Sequence, residues 1–206
     1  MAPTTRVNRA ARRPVYHLTS PFLPLAKPVM THPASALSVE IRRLFAAHAA
    51  DYRAIRLAAL RDAPEAFGST YDAEAERSLA AFAQRLDSSI VFGAYVDGAI
   101  AGMAGFKRLD GAKERHKGFL WGVYVAPAAR RLGVGAALLD AALAAAAQTV
   151  EQVTLAVIDG NGAARAFYER HGFVAYGVEP RALKGANGYA DELLMVRFLP
   201  SAPPRG

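Results

Sequence analysis

The chain has 206 residues, 52% hydrophobic and 21% charged, enough for one globular domain with an appendage and a sizeable buried core. It has no cysteine, which excludes disulfides, thiolate-bound metal centres and a thiol nucleophile; its five histidines show no i, i+4 pairing, so no metal is expected. The formal charge of +7 is concentrated ahead of Glu40, where Arg6, Arg9, Arg12, Arg13 and Lys27 meet no acid, leaving +2 for residues 40–206 and no basic surface in the body that suggests a nucleic-acid partner.

Residues 1–37 combine Pro3, Pro14, Pro21, Pro24, Pro28 and Pro33 with basic and small polar residues, a mixture that sustains neither helix period nor strand alternation. A disordered basic arm is expected there, a folded domain over 38–200, and a flexible tail over 201–206. No apolar signal region follows Arg12-Arg13. The most apolar run, Gly133 to Ala147, is too short for the roughly 20 residues of a membrane span. A soluble, cytoplasmic protein with no membrane partner is expected.

From Val39 to Leu44 apolar and charged residues alternate as in a half-exposed strand, and Asp51 to Leu60 follows with helical spacing. Pro64 breaks that helix, and Asp72 to Leu86 resumes the helical pattern. Ile90–Val96 and Ala99–Lys107 flank Asp97-Gly98, the dipeptide suited to a two-residue type I′ hairpin. Gly118 to Val125 reads as a buried strand and Gly133 to Ala147 as a helix. A strand at Val153–Val157, a helix at Ala163–Arg170 and two late strands, Val174–Val178 and Glu192–Leu199, complete the pattern. The class is α/β, with an antiparallel start and a strand–helix–strand–helix centre.

The chemistry concentrates between the buried strand and the Ala-rich helix. Val123, Tyr124 and Val125 lead into Arg130, Arg131, Leu132, Gly133, Val134, Gly135 and Ala136. Unpaired N–H groups at a helix start, bare backbone at two glycines and the positive end of the helix dipole make an anion site suited to a pyrophosphate, and the two arginines add charge. It is not a Walker loop, since Ala136-Ala137 follows Gly135, nor a dinucleotide fingerprint, since Leu138 stands where a third glycine is needed. Further on, Asn161 is placed to cap a helix, and Tyr168, seven residues later, returns to within about 20° of the same face. Phe167 and Phe173 are expected to face the core, with Gly172 as a left-handed stop.

The block formed by Val125, Pro127, Arg130, Arg131, Gly133, Gly135, Leu138 and Leu139 resembles the acetyl-CoA motif, R/Q-x-x-G-x-G/A, of the GNAT superfamily of N-acyltransferases. The run from Asn161 through Tyr168 to Gly172-Phe173 resembles the same family's N-x-x-A-x-x-F/Y-Y-x-x-x-G-F pattern. The resemblance spans about Val39 to Leu199. It implies a mixed central sheet of about six to seven strands with flanking helices, acetyl-CoA as co-substrate without a metal, and a primary amine acceptor, small-molecule or protein. It also implies that Asn161 contacts the pantetheine arm and that Tyr168, near the thioester sulfur, acts as general acid; backbone groups at Val123 to Val125 are expected to bind the carbonyl and amides.

Without a cysteine the acetyl group is expected to pass directly to the amine. The base stays unassigned, because Phe119 to Val125 contains no acid and Glu114, Glu179, Asp191 and Glu192 lie elsewhere. The loop Asp62 to Tyr71 is expected to wall the acceptor pocket with Phe67 and Tyr71. A non-catalytic acyl-CoA-binding regulatory domain is the alternative reading, and a homodimer is left open.

Overall fold

The computed structural model describes residues 37–186 and 188–200. The arm expected at 1–37 lies outside the described residues except for Leu37, and the tail at 201–206 lies wholly outside them.

Seven strands form one sheet: β1 (Val39–Leu44), β2 (Ile90–Val96), β3 (Ala99–Arg108), β4 (Lys117–Val125), β5 (Gln152–Ile158), β6 (Val174–Gly185) and β7 (Gly188–Phe198), in the order β1-β2-β3-β4-β5-β7-β6. Among the described residues five α-helices flank it: α1 (Ala49–Asp62), α2 (Tyr71–Ala75), α3 (Leu79–Ser88), α4 (Val134–Ala146) and α5 (Gly162–Arg170). The β2–β3 turn is type I′ as its dipeptide requires, with φ of 49° at Asp97 and 82° at Gly98. Helices α1 and α3 bury Tyr52, Ile55, Phe82 and Leu86 against Val91, Tyr95, Met103 and Tyr124 on one face. On the other face α4 and α5 bury Leu139, Leu143 and Tyr168 against Leu120, Val153, Leu155, Val157 and Met195. The α/β class and the mixed seven-stranded sheet with flanking helices agree with the sequence.

Every neighbouring pair of strands is antiparallel except β4 and β5. That parallel pair is short: Lys117, Gly118 and Phe119 align with Gln152, Val153 and Thr154, and beyond them the strands diverge. On its other side β4 stays paired with β3 as far as Val125, but Gly105 pairs with Trp121 while Met103 pairs with Tyr124. The extra residue is a bulge at Gly122, whose φ is +63°. It shifts the alternation so that both Trp121 and Tyr124 reach the α1 face.

Three local expectations are corrected. Asp72 to Leu86 is two helices, because Thr70 and Ser78 each accept an N-cap bond, from the N–H of Ala73 at 3.4 Å and of Ala81 at 3.3 Å. Phe119 in the supposedly buried strand is 37% exposed. The late strands extend to a hairpin at 185–188; β6 carries Pro180 and Arg181, φ 55°, in a bulge fastened by the Arg181 N–H donating to Asp191 Oδ1 at 2.6 Å.

Candidate active site

The divergence of β4 from β5 opens a cavity of about 380 Å³. Val123, Tyr124 and Val125 form one wall, and Asn161, Ala164, Phe167 and Tyr168 of the β5–α5 segment form the other. Ala63, Ala66 and Phe67 of the segment after α1 close a third side, while Arg130 and Gly135 border the start of α4.

At that helix start Gly133 has φ +77°, a conformation that side chains disfavour, and a Cβ added there would meet nothing within 4 Å. The first bond closing the helix runs from Ala137 N–H to Gly133 O at 3.1 Å, so the preceding donors of Val134, Gly135 and Ala136 have no carbonyl in the helix to receive them. Free donors, open space over Gly133 and the helix dipole fit a pyrophosphate. Arg131, φ 65°, and Leu132 are exposed in the same turn. Arg130 behaves otherwise than its position in the motif suggests. Its Nε donates to Val125 O at 3.1 Å and its Nη2 to Asp62 Oδ2 at 2.5 Å, so its charge is spent tying α1 to the end of β4.

Asn161 caps α5, its Oδ1 accepting from Ala164 N–H at 3.1 Å, which leaves its amide donors uncommitted by the cap. Tyr168 is 9% exposed and packed edge-on between Phe167 and Phe173, with ring centroids 5.2 and 5.7 Å away. Burial pushes its phenol well above the ordinary value, so it carries its proton at neutral pH. Phe173 is core, as expected, but Phe167 is not simply so: it lines the cavity, its ring 3.7 Å from where a Gly135 Cβ would stand. Phe67 also lines the cavity. Tyr71 is not among the cavity's lining residues; it lies under the Arg61 guanidinium, 4.4 Å from its ring, and its hydroxyl accepts from Arg61 Nη2.

The family model described as Acetyltransferase (GNAT) family matches residues 42–173. The chain belongs to the GNAT acetyltransferase family. A GNAT-family acetyltransferase from Streptococcus pneumoniae is 24% identical, with TM-score 0.68 over 79% of this chain and 100% of that one. The ribosomal-protein-alanine N-acetyltransferase of Brucella melitensis is 26% identical, with TM-score 0.68 over 78% and 99%. The structure of yncA from Salmonella typhimurium with its cofactor acetyl-CoA is 21% identical, with TM-score 0.65 over 82% and 98%. No curated protein matches the chain significantly.

In this acetyltransferase the acids weighed as bases stand in unequal places. Asp191 is occupied with the Arg181 N–H. Glu192 aligns with Ile158 at the end of β5 and with Glu179 across β6. Its neighbour Leu193 packs in the α4–α5 core, so Glu192 and Glu179 lie on the opposite face, the face that the loop after α1 approaches where Gly68 nears Leu183. Burial and the charge of Glu179 raise the Glu192 carboxyl above its ordinary range. Tyr124 is also raised, by burial and by the nearby Asp62 carboxylate.

A charged cluster behind this face escaped the sequence reading. Arg56 and Glu74 are 6% and 2% exposed. Arg85 Nη1 donates to both Glu74 oxygens at 3.1 Å, while Arg56 Nη2 is 3.5 Å from Oε1. Burial opposes ionisation of Glu74, but the hydrogen bonds and charges of its arginines outweigh it and hold the carboxyl below its usual range. The available signal was Arg56 beside Ile55 in the apolar stripe of α1.

Proposed function

We propose that this GNAT acetyltransferase moves an acetyl group from acetyl-CoA directly to a primary amine in a single ternary complex. The reading rests on one observation: the divergence of β4 from β5 gathers the open helix start, the free edge of β4, Asn161 and the protonated Tyr168 around one cavity. Acetyl-CoA supplies an activated thioester when bound. The N–H groups of Val134, Gly135 and Ala136, over the bare backbone of Gly133 and the Arg131-Leu132 turn, would hold its phosphates. Backbone groups of Val123 to Val125 and the amide of Asn161 would hold the pantetheine arm.

The amine nitrogen attacks the acetyl carbonyl carbon, the C–S bond breaks, and an amide and a thiol form. Tyr168 donates its hydroxyl proton toward the departing sulfur. A phenol above its ordinary value of about 10 is a weak donor to a thiolate of about 8.5, so the transfer is drawn forward by return of a proton to the phenolate: the attacking nitrogen sheds one as it becomes an amide, and the donor regains one. No acid stands between Phe119 and Val125, so the ammonium proton of the acceptor leaves outside that strand.

The test is a CoA-release assay over small amines, amino acids, polyamines and an alanine-initiated peptide, the last because one similar structure is a ribosomal-protein-alanine N-acetyltransferase. Turnover of at least one amine, lost or strongly reduced in Tyr168→Phe, is expected. Acetyl-CoA binding without turnover of any amine would overturn the reading.

A further inference from the structure

Arg56 is a buried cation with more hydrogen-bonding capacity than its surroundings use. It sits on the sheet side of α1 with Tyr52, Ile55 and Ala59, its side chain 7% exposed. The nearest carboxylate, Glu74, is already held at 3.1 Å through both oxygens by Arg85, and Arg77 Nε lies 4.0 Å from it. Three guanidinium groups thus share one carboxylate. Among the described residues Arg56 Nε has no hydrogen-bond acceptor at all. A buried donor without an acceptor is costly, and burial lowers the tendency of Arg56 to hold its charge.

The guanidinium lies directly behind one wall of the cavity. Its central carbon lies 5.0 Å from the ring centroid of Phe67, a cavity wall. Its Nη1 is 3.9 Å from where a Cβ on Gly122 would stand, at the bulge that turns Tyr124 toward the same side. A side chain at Gly122 would narrow the approach that the bare bulge leaves. One aromatic ring therefore separates a positively charged, under-coordinated fork from the space where the amine must lie. The arginine that lines the cavity itself, Arg130, is paired with Asp62.

We infer that Arg56 is the specificity residue of the acceptor site and that the acceptor is a small amine bearing a carboxylate, the amino-acid class. This rests on the acetyltransferase reading above. The carboxylate takes the contact that Nη1, on the Gly122 edge of the guanidinium, offers, and Phe67 rotates aside to admit it. Such an anion balances the surplus positive charge around Glu74. A guanidinium present only to pack α1 on the sheet would leave the enzyme indifferent to charge on the acceptor.

The experiment compares leucine, phenylalanine, β-alanine and γ-aminobutyrate, each with its carboxamide, in the CoA-release assay. The acid form of at least one pair is expected to have a kcat/KM at least tenfold above its amide at matched free-amine concentration, expressed mainly in KM. In Arg56→Lys, which keeps the charge but loses Nε and the fork, that ratio should fall to within about twofold while the thermal stabilisation by acetyl-CoA persists. Equal use of acids and amides by the wild-type enzyme, or an undiminished preference in a folded Arg56→Lys, would overturn the inference and leave the acetyltransferase reading intact. If the lysine variant does not fold, the wild-type comparison decides. If no amine is turned over, the acetyltransferase reading fails, and calorimetry of the N-acetylated acids and amides on CoA-saturated wild-type protein decides this inference separately. Tenfold tighter binding of the acid supports it, and equal binding refutes it.

Discussion

The two glycines of the cradle make separable demands, and alanine at each should move stability and ligand binding differently. Gly133 has φ +77°, where an L side chain costs about 1–2 kcal/mol, yet its Cβ position meets no atom within 4 Å, so no clash adds to the backbone cost. Gly133→Ala should therefore lose about 1 kcal/mol in the free protein, a fall of about 2–4 °C in Tm at this chain length. Gly135 lies in the first turn of α4, and its Cβ position has only ordinary contacts at 3.7 Å, with Phe167 and Val125. Helix propensity alone favours alanine there by up to about 1 kcal/mol, so Gly135→Ala should melt at or above the wild type. Saturating acetyl-CoA at a hundred times Kd adds about 2.7 kcal/mol to the wild type. The Cβ of Gly133→Ala would stand in the space left for the phosphates, so a tenfold loss of affinity is expected, which halves that gain to about 1.4 kcal/mol at the same concentration. Gly135→Ala, which the motif admits, should keep it. Thermal melts of the three proteins with and without acetyl-CoA read both quantities. A Gly133→Ala protein as stable as Gly135→Ala would refute the left-handed turn. One that is destabilised but keeps the full acetyl-CoA shift would place the phosphates elsewhere.

Tyr168→Phe removes the proton donor and keeps the ring between Phe167 and Phe173, so kcat should fall about 10- to 1000-fold with the acetyl-CoA KM within a few-fold; an unchanged kcat would leave Tyr168 a packing residue. Phe67→Ala should change the acceptor KM or preference more than the acetyl-CoA KM, whereas Tyr71→Ala, held under Arg61 away from the cavity, should change neither by more than about twofold; steady-state kinetics on both substrates distinguish them. Glu192 has a folded pKa raised above its ordinary 4.5, so its favourable contribution belongs to low pH and is lost as pH rises through the folded value, making it a net destabiliser at neutrality. Glu192→Gln should accordingly gain about 0.2–1 kcal/mol at pH 7 by removing the charge opposite Glu179, with the gain vanishing near pH 4; a loss of Tm at pH 7, or a gain independent of pH, would contradict the like-charge placement.

What the sequence made legible was local. Asp97-Gly98 dictates its own turn, the glycines and the helix start follow one another within a few residues, and Asn161 and Tyr168 share a helix face by periodicity alone. The divergence of β4 from β5 was not legible, since it is a failure of pairing between strands more than thirty residues apart, decided by what each packs against. The ion pair of Arg130 is hidden from the sequence for a related reason. Its competing partner Asp62 lies 68 residues earlier, and a guanidinium beside a phosphate motif looks available until that carboxylate is brought to it. Phe167 shares a helix with the buried Tyr168, but only the position of β4 decides that the space beside Phe167 is a cavity. The buried Arg56–Glu74 pair is not legible in the sequence, because burial of an ion pair depends on a third element, α3, delivering Arg85.

The site lies where it does because β4 and β5 are the one parallel pair. Antiparallel neighbours can be joined by hairpins, as β2–β3 and β6–β7 are, but parallel strands require a crossover, here α4. A helix entered directly from the end of a strand begins at that end, so α4 starts beyond Val125 and α5 beyond Ile158. The positive ends of both helices therefore meet where β4 and β5 separate. Had the two strands stayed zipped to their ends, β5 would have consumed the donors and acceptors along β4, and the two helix starts would have faced a closed sheet. Three aligned residue pairs suffice to fix the strands at their base, and the remainder of β4 is left to an extended, amide-bearing ligand that can act as the missing strand. Geometry thus couples cofactor and chemistry: a ligand seated along β4 with its phosphates on α4 presents its far end to Tyr168, on the opposite wall of the same cavity.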